Sequence, residues 1–227
     1  MDFFTYVGSQ LEQLVFYGQQ HFLLVAFAVG IAAVVSLVAG TVLHTNRLTP
    51  ETWSRPLRIG SREGLLIASS AALTVPSLAL FGLLQPALGL GATPSLTALT
   101  IYAVYPILRN VVAGLSSVDD AVLESARGMG MGPVRRMVSI QLPLAWPVIL
   151  SGIRVAVLII IGIAVVAGAI NGPGFGSSLL LGLQRLGSVN SFNQVLAATL
   201  GCLVVAAVYE IVFWLVQRFT TPRGIRV

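Results

Sequence analysis

The chain has 227 residues, of which 56% are hydrophobic and only 9% charged, and its mean hydropathy is +0.91. A soluble domain carries roughly 25% charged residues, so much of this protein's surface faces lipid rather than water. The formal charge of +5 rests on arginine alone, because the sequence contains no lysine. Its placement in loops, described below, points to a membrane surface and away from nucleic acid.

The N-terminus, Met1-Asp2-Phe3-Phe4, is acidic and lacks the basic start of a cleaved signal peptide. The first hydrophobic segment is therefore expected to stay in the mature protein. A spanning helix needs about 20 mostly apolar residues, and five stretches qualify: 22–43, 64–84, 95–115, 146–170 and 195–217. The expected fold is all-α, a single polytopic domain over 1–227 with about five transmembrane helices. His21 and His44 flank opposite ends of the first span, too far apart to share a metal, and His21 reads as an interfacial residue. Pro76 and Pro106 fall within the second and third spans, where kinks rather than breaks are expected. The single cysteine, Cys202, lies in the last span and reads as a small packed residue.

The loops set the orientation. Arg47, Arg55, Arg58 and Arg62 lie between spans one and two, Arg127, Arg135 and Arg136 between three and four, and Arg218, Arg223 and Arg226 after five. The first 20 residues hold no arginine, 85–94 carries no charge, and 171–194 holds only Arg185. The positive-inside rule then puts the N-terminus outside and the C-terminus in the cytoplasm. Inside the spans, Arg109, Arg154 and Glu210 must face protein or water, or snorkel. Pairing of Arg109 with Glu210 and independent snorkelling of each to the headgroups both fit their positions. The apolar segment 177–186 is too short to span and reads as a re-entrant or interfacial helix on the outer side.

Segment 116–143 is too polar to span. Ser117 with Asp120 looks like a capping box for a short helix through Ala121–Ala126. Gly128, Gly130 and Gly132 allow a reversal, and Pro133 suits the first turn of a second helix. On that helix Val134, Met137, Val138 and Gln141 are expected to share one face, with Arg135 and Arg136 turned elsewhere. Docking in a groove on a partner and lying flat on lipid both remain open for such an element. The Gly128–Gly132 run follows a helix rather than a strand and is no dinucleotide site. A phosphate-binding loop ending in Gly-Lys cannot occur without lysine, so ATP hydrolysis would fall to another chain.

Glu124-Ser125-Ala126, three residues, Gly130, nine residues, then Ile140-Gln141-Leu142-Pro143 resembles the EAA signature of binding-protein-dependent ABC importer permeases. Ser125 stands where that signature has alanine. The stretches 74–80, 105–110, 152–154 and 171–176 are similar to the osmoprotectant branch of that family (glycine betaine, carnitine, choline, proline), although Pro173 and Phe175 depart from its denser glycine run. Permeases for methionine and other amino acids share the loop.

The resemblance implies the methionine-importer-type permease fold and transport by alternating access. It implies a coupling helix built from Glu124, Ser125, Ala126, Gly130, Ile140, Leu142 and Pro143, with Glu124 as a polar anchor or cap and Gly130 as the turn. Arg135 and Arg136 would meet acidic groups on the ATPase or simply mark the cytoplasmic side. The implied partners are a cytoplasmic ABC ATPase dimer carrying ATP and Mg, a second permease chain, identical or homologous, and an extracytoplasmic substrate-binding protein. This chain itself would hold no cofactor, catalytic residue or metal, and would sit in a bacterial inner membrane. A trimethylammonium solute favours aromatic faces, which makes Tyr102, Tyr105 and Asn110 candidates for the solute path, against a plain packing role. The alternatives are a permease for another solute such as an amino acid, and an ATP-independent channel.

Overall fold

The computed structural model describes residues 1–45 and 55–220, and every regular element in them is helical. Arg47, Arg223 and Arg226, and the side chains of Arg55, Arg58 and Arg62, lie outside the described residues. A short helix α1 (Phe3–Ser9), capped by Asp2 whose Oδ1 accepts from Thr5 N at 2.7 Å, leads into α2 (Leu11–Thr45). Helices α3 (Arg55–Thr74), α4 (Ser77–Leu88) and α5 (Ala92–Ser116) follow. Then come α6 (Asp120–Gly128), α7 (Pro133–Arg136), a π-helical turn (Met137–Gln141) and α8 (Leu142–Val166). A 3-10 turn (Ala167–Ile170), α9 (Gly176–Gln184) and α10 (Ser191–Thr220) complete the chain.

Among the described residues, four continuous stretches are long and apolar enough to cross a membrane: 11–44, 92–116, 133–170 and 191–220. A fifth crossing exists only if α3 and α4 are taken together, and they meet at a bend of 99°. The expectation of a kink at Pro76 is thus corrected to a break. Proline disfavours helical geometry in the residue before it. Pro76 itself is extended (φ −57°, ψ 131°), so the helix stops at Thr74 and restarts at Ser77. The hydroxyl of Tyr102 donates to the Val75 carbonyl at 2.9 Å, satisfying backbone that the break exposes. Pro106 leaves α5 unbroken, with Asn110 Nδ2 donating to its carbonyl at 2.8 Å.

Helix α5 is the axis of the bundle, packed between α2 and α8, with α3 and α4 on its flank. Small residues set the close approaches. A side chain on Gly40 would overlap Val111, and a Cβ on Gly114 would come within 3.0 Å of the Ala145 carbonyl. On Gly152 it would run into Asn110. Lipid tails are as apolar as leucine, so helices in a membrane associate through this tight packing rather than through hydrophobicity. Helix α10 lies outermost against α2, α8 and α9. Tyr209 holds it there by stacking on Phe22 (4.5 Å between ring centroids) and donating to the Phe22 carbonyl at 2.7 Å.

His21 is fully buried, not interfacial as its position at a span end suggests. Its Nε2 lies 3.2 Å from the Ile161 carbonyl, and its ring packs against Phe175. The apolar segment at 177–186 forms α9, which packs against α10 and the 3-10 turn.

Candidate functional site

The segment between α5 and α8 is a helical elbow with one strained position. Its first helix is capped by Asp119, whose Oδ1 accepts from Ala121 N at 2.9 Å. The expected Ser117–Asp120 box does not form, because Ser117 Oγ donates back to the Gly114 carbonyl at 2.9 Å and finishes α5 instead. At the other end Met131 N donates to Ala126 O at 3.1 Å and Gly130 N to Arg127 O at 2.9 Å. This nested pair is a Schellman closure with Gly130 at its left-handed position, φ +79°. A side chain there is strained, whereas Gly132 has an ordinary φ of −65° and serves as the cap before Pro133. Of the three glycines in the run, geometry therefore requires one.

Leu123 and Ala126 are buried against the body, while Glu124 and Ser125 point outward, Ser125 Oγ donating to Ala121 O at 2.8 Å. Glu124 does not cap the helix and makes no ion pair among the described residues. Around it the elbow exposes apolar side chains: Val122 (41%), Met129 (69%), Val134 (72%) and Val138 (59%). Arg127 and Arg135 are exposed beside them. An apolar patch fringed by charge, on a projection between two long helices, has the composition of a docking surface.

The second half of the elbow departs from the expected face. Met137 and Gln141 are buried, but Val134 and Val138, expected on the same face, turn outward, and Arg136 is buried with Met137 and Gln141. A π turn at Met137–Gln141 joins this short helix to α8. Ile140 and Leu142 are half-buried and Pro143 is exposed where α8 begins. Arg136, being buried, is not available to meet a partner's acidic groups, and only Arg135 remains exposed for that role. Neither the buried Nε of Arg136 nor the amide of Gln141 has a partner among the described residues.

At the opposite end of α8 the chain makes a compact turn. Asn171 adopts the left-handed conformation (φ 58°), Gly172 is packed against Ser95 and Ala167, and Gly174 N donates to Gln20 Oε1 at 3.2 Å. Gly91 N donates to Ile170 O at 2.8 Å, tying the α4–α5 turn to the same point. The departing residue Phe175 is buried beside Gly201 of α10.

Of the path candidates, Tyr102 is buried with its hydroxyl spent on the helix break, Tyr105 is half-buried, and Asn110 is wedged against Gly152. Of the two readings of the charges inside the spans, the Arg109–Glu210 pair does not form. Arg154, not Arg109, meets Glu210: its Nε donates to Oε1 at 3.0 Å and an Nη donates to Oε2. Arg109 stays exposed with no ion pair among the described residues. A lone charge at membrane depth costs about 2.5–3.5 kcal/mol on insertion scales, and the fork-to-carboxylate geometry offsets part of that for Arg154.

Residues 61–223, most of the chain, match the family described as binding-protein-dependent transport system inner membrane component. The chain belongs to that family. Over 233 residues it is 33% identical to the osmoprotectant import permease protein OsmW of Salmonella typhimurium, covering all of both chains. It is also 36% identical to the choline transport system permease protein OpuBB of Bacillus subtilis, over 67% of this chain and 69% of that one. Among solved structures it resembles a chain of the MetNI methionine ABC transporter in an inward-facing conformation. The TM-score is 0.78 at 16% identity, over 94% of this chain and 99% of the other. This binding-protein-dependent permease subunit therefore has the methionine-importer permease fold, and its helices make it a multi-pass membrane protein.

Proposed function

We propose that this permease subunit carries a small quaternary ammonium osmoprotectant across the bacterial inner membrane, driven by ATP hydrolysed on a separate cytoplasmic chain. The elbow carries the reading. A short helix closed at Gly130, with Val122, Met129 and Val134 held out in solvent, suits a socket on a partner better than a lipid surface. Lipid contact would favour a continuous amphipathic face, and the outward side chains here are split across two short helices. Glu124 and Arg135 would supply the polar rim of that joint, with Ile140, Leu142 and Pro143 passing its movement into α8.

The solute class is supported by the names of the relatives, which include a glycine betaine/carnitine/choline transport system permease protein, OpuCB, 33% identical over 67% of this chain. In this reading the N-terminus lies outside and the elbow inside. A second permease chain and an extracytoplasmic binding protein complete the transporter. Tyr105 and Asn110 border the path, and Tyr102 fixes the break in the second crossing beside it.

The test is co-purification with an ABC ATPase, for the wild type and for Glu124→Lys and Gly130→Pro. Both variants are expected to reach the membrane and lose most of the bound ATPase. Full retention of ATPase by both would remove the coupling assignment and favour a channel.

A further inference from the structure

The Arg154–Glu210 pair occupies a position that the importer reading does not explain. Arg154 lies 12 residues from either end of α8, which runs from Leu142 to Val166. At about 1.5 Å per residue that is roughly 18 Å from each end, the middle of a hydrocarbon core about 30 Å thick. Glu210 lies 10 residues before the end of α10 at Thr220, about 15 Å along the helix. Arg154 thus lies midway along its helix, and the two side chains are 50% and 33% exposed. The surrounding surface is apolar, with Val155, Leu158 and Ile211 at 45%, 46% and 60% exposure.

Charged groups at this depth face protein or water and mark solute pathways. Two of the guanidinium's nitrogens are engaged by Glu210, and its remaining N–H groups have no partner among the described residues. Hydrocarbon cannot satisfy them, and a protein surface could do so only with acceptors placed opposite. Water satisfies them without further design.

We propose that the α8–α10 face bearing this pair lines a water-filled path. There the pair opens to bind a zwitterion, Arg154 taking the solute's carboxylate and Glu210 its quaternary ammonium. This rests on the proposed function and deepens it. A guanidinium matches a carboxylate with two parallel hydrogen bonds. A quaternary ammonium has no N–H to donate and is held by charge alone, which a carboxylate supplies. Exchanging one ion pair for two leaves the site neutral before and after. The internal pair re-forms as the solute leaves, so binding stays weak enough for release.

Uptake by vesicles containing the complete transporter is measured for glycine betaine, which has a carboxylate, and for choline, which has none. Arg154→Gln is expected to lower glycine betaine uptake at least tenfold more than choline uptake, and Arg154→Lys to restore part of it. Glu210→Gln is expected to lower both. In a Cys202→Ser background, Leu158→Cys keeps the native pair and is expected to react with a membrane-impermeant thiol reagent, several-fold more slowly at saturating glycine betaine. Equal losses of both solutes in Arg154→Gln would overturn the proposal. So would a Leu158→Cys thiol that reacts only with a lipid-soluble reagent. Wild-type vesicles that take up neither solute, while the impermeant reagent still reaches Leu158→Cys, would instead place the failure in the assigned solute class.

Discussion

Helices α5 and α10 are both long and apolar, but their surroundings are opposite. The most apolar stretch of α5 has a mean hydropathy of 1.4 and is 61% buried within the protein, whereas that of α10 has 2.3 and is 22% buried. The less hydrophobic helix is the one at the centre. In water the order would be reversed. In lipid the apolar side chains lose nothing by facing outward, and the inside goes to residues that pack closely or need a hydrogen-bond partner. Helix α5 carries Ser95, Thr100, Tyr102, Asn110 and Gly114, each pressed against a neighbour or bonded to one. Helix α10 turns Val204, Val208 and Val212, away from the Glu210 face, outward at 40–63% exposure.

That contrast is open to attack by mutation. The largest effect is expected at the α5–α8 contact, where a Cβ on Gly152 would come within 2.8 Å of Asn110 Cγ. Gly152→Val should cost about 3 kcal/mol by overpacking, visible as a sharp loss of folded protein on heating in detergent. Next is the elbow: Gly130→Ala forces a side chain into left-handed geometry at a cost of about 1–2 kcal/mol. Gly128→Ala, at a helical position with open space, should be neutral or slightly stabilising. Proteolysis rates of the elbow would separate the two. Tyr102→Phe removes the bond to Val75 and should cost about 1 kcal/mol, read as lower thermal stability with the fold retained. The smallest effect belongs to α10, where Val204→Ala should change stability by less than about 0.5 kcal/mol. A large loss there would mean that α10 is covered by protein.

The membrane crossings were legible because hydropathy reports whether a segment can enter lipid, and this requires only length and composition. Which side of each helix faces protein was less so. His21 sits at the edge of an apolar run, where composition suggests an interface, and only the turn at 171–175 folding over it reveals that it is buried. The break at Pro76 and the intact helix at Pro106 carry the same residue, and the difference lies in what surrounds them: one has Tyr102 across the gap, the other Asn110 on the next turn. In the elbow, the order helix, glycine, proline, helix could be read directly from residue types. The buried face of its second half could not: there Arg136 lies inward and Val134 outward, against what their polarity suggests.

Arg154 and Glu210 lie 56 residues apart in sequence. Three charges within spans allow more than one pairing, and only the packing of α10 against α8 selects this one.

ATP-dependent uptake of labelled glycine betaine into vesicles holding this chain with its ATPase and binding protein bears on the coupling role of the elbow most directly. Uptake should require ATP and should fall to background in Gly130→Pro while the ATPase alone still turns over. Uptake that continues without ATP, or that the Gly130→Pro change leaves intact, would contradict a motor acting through this joint.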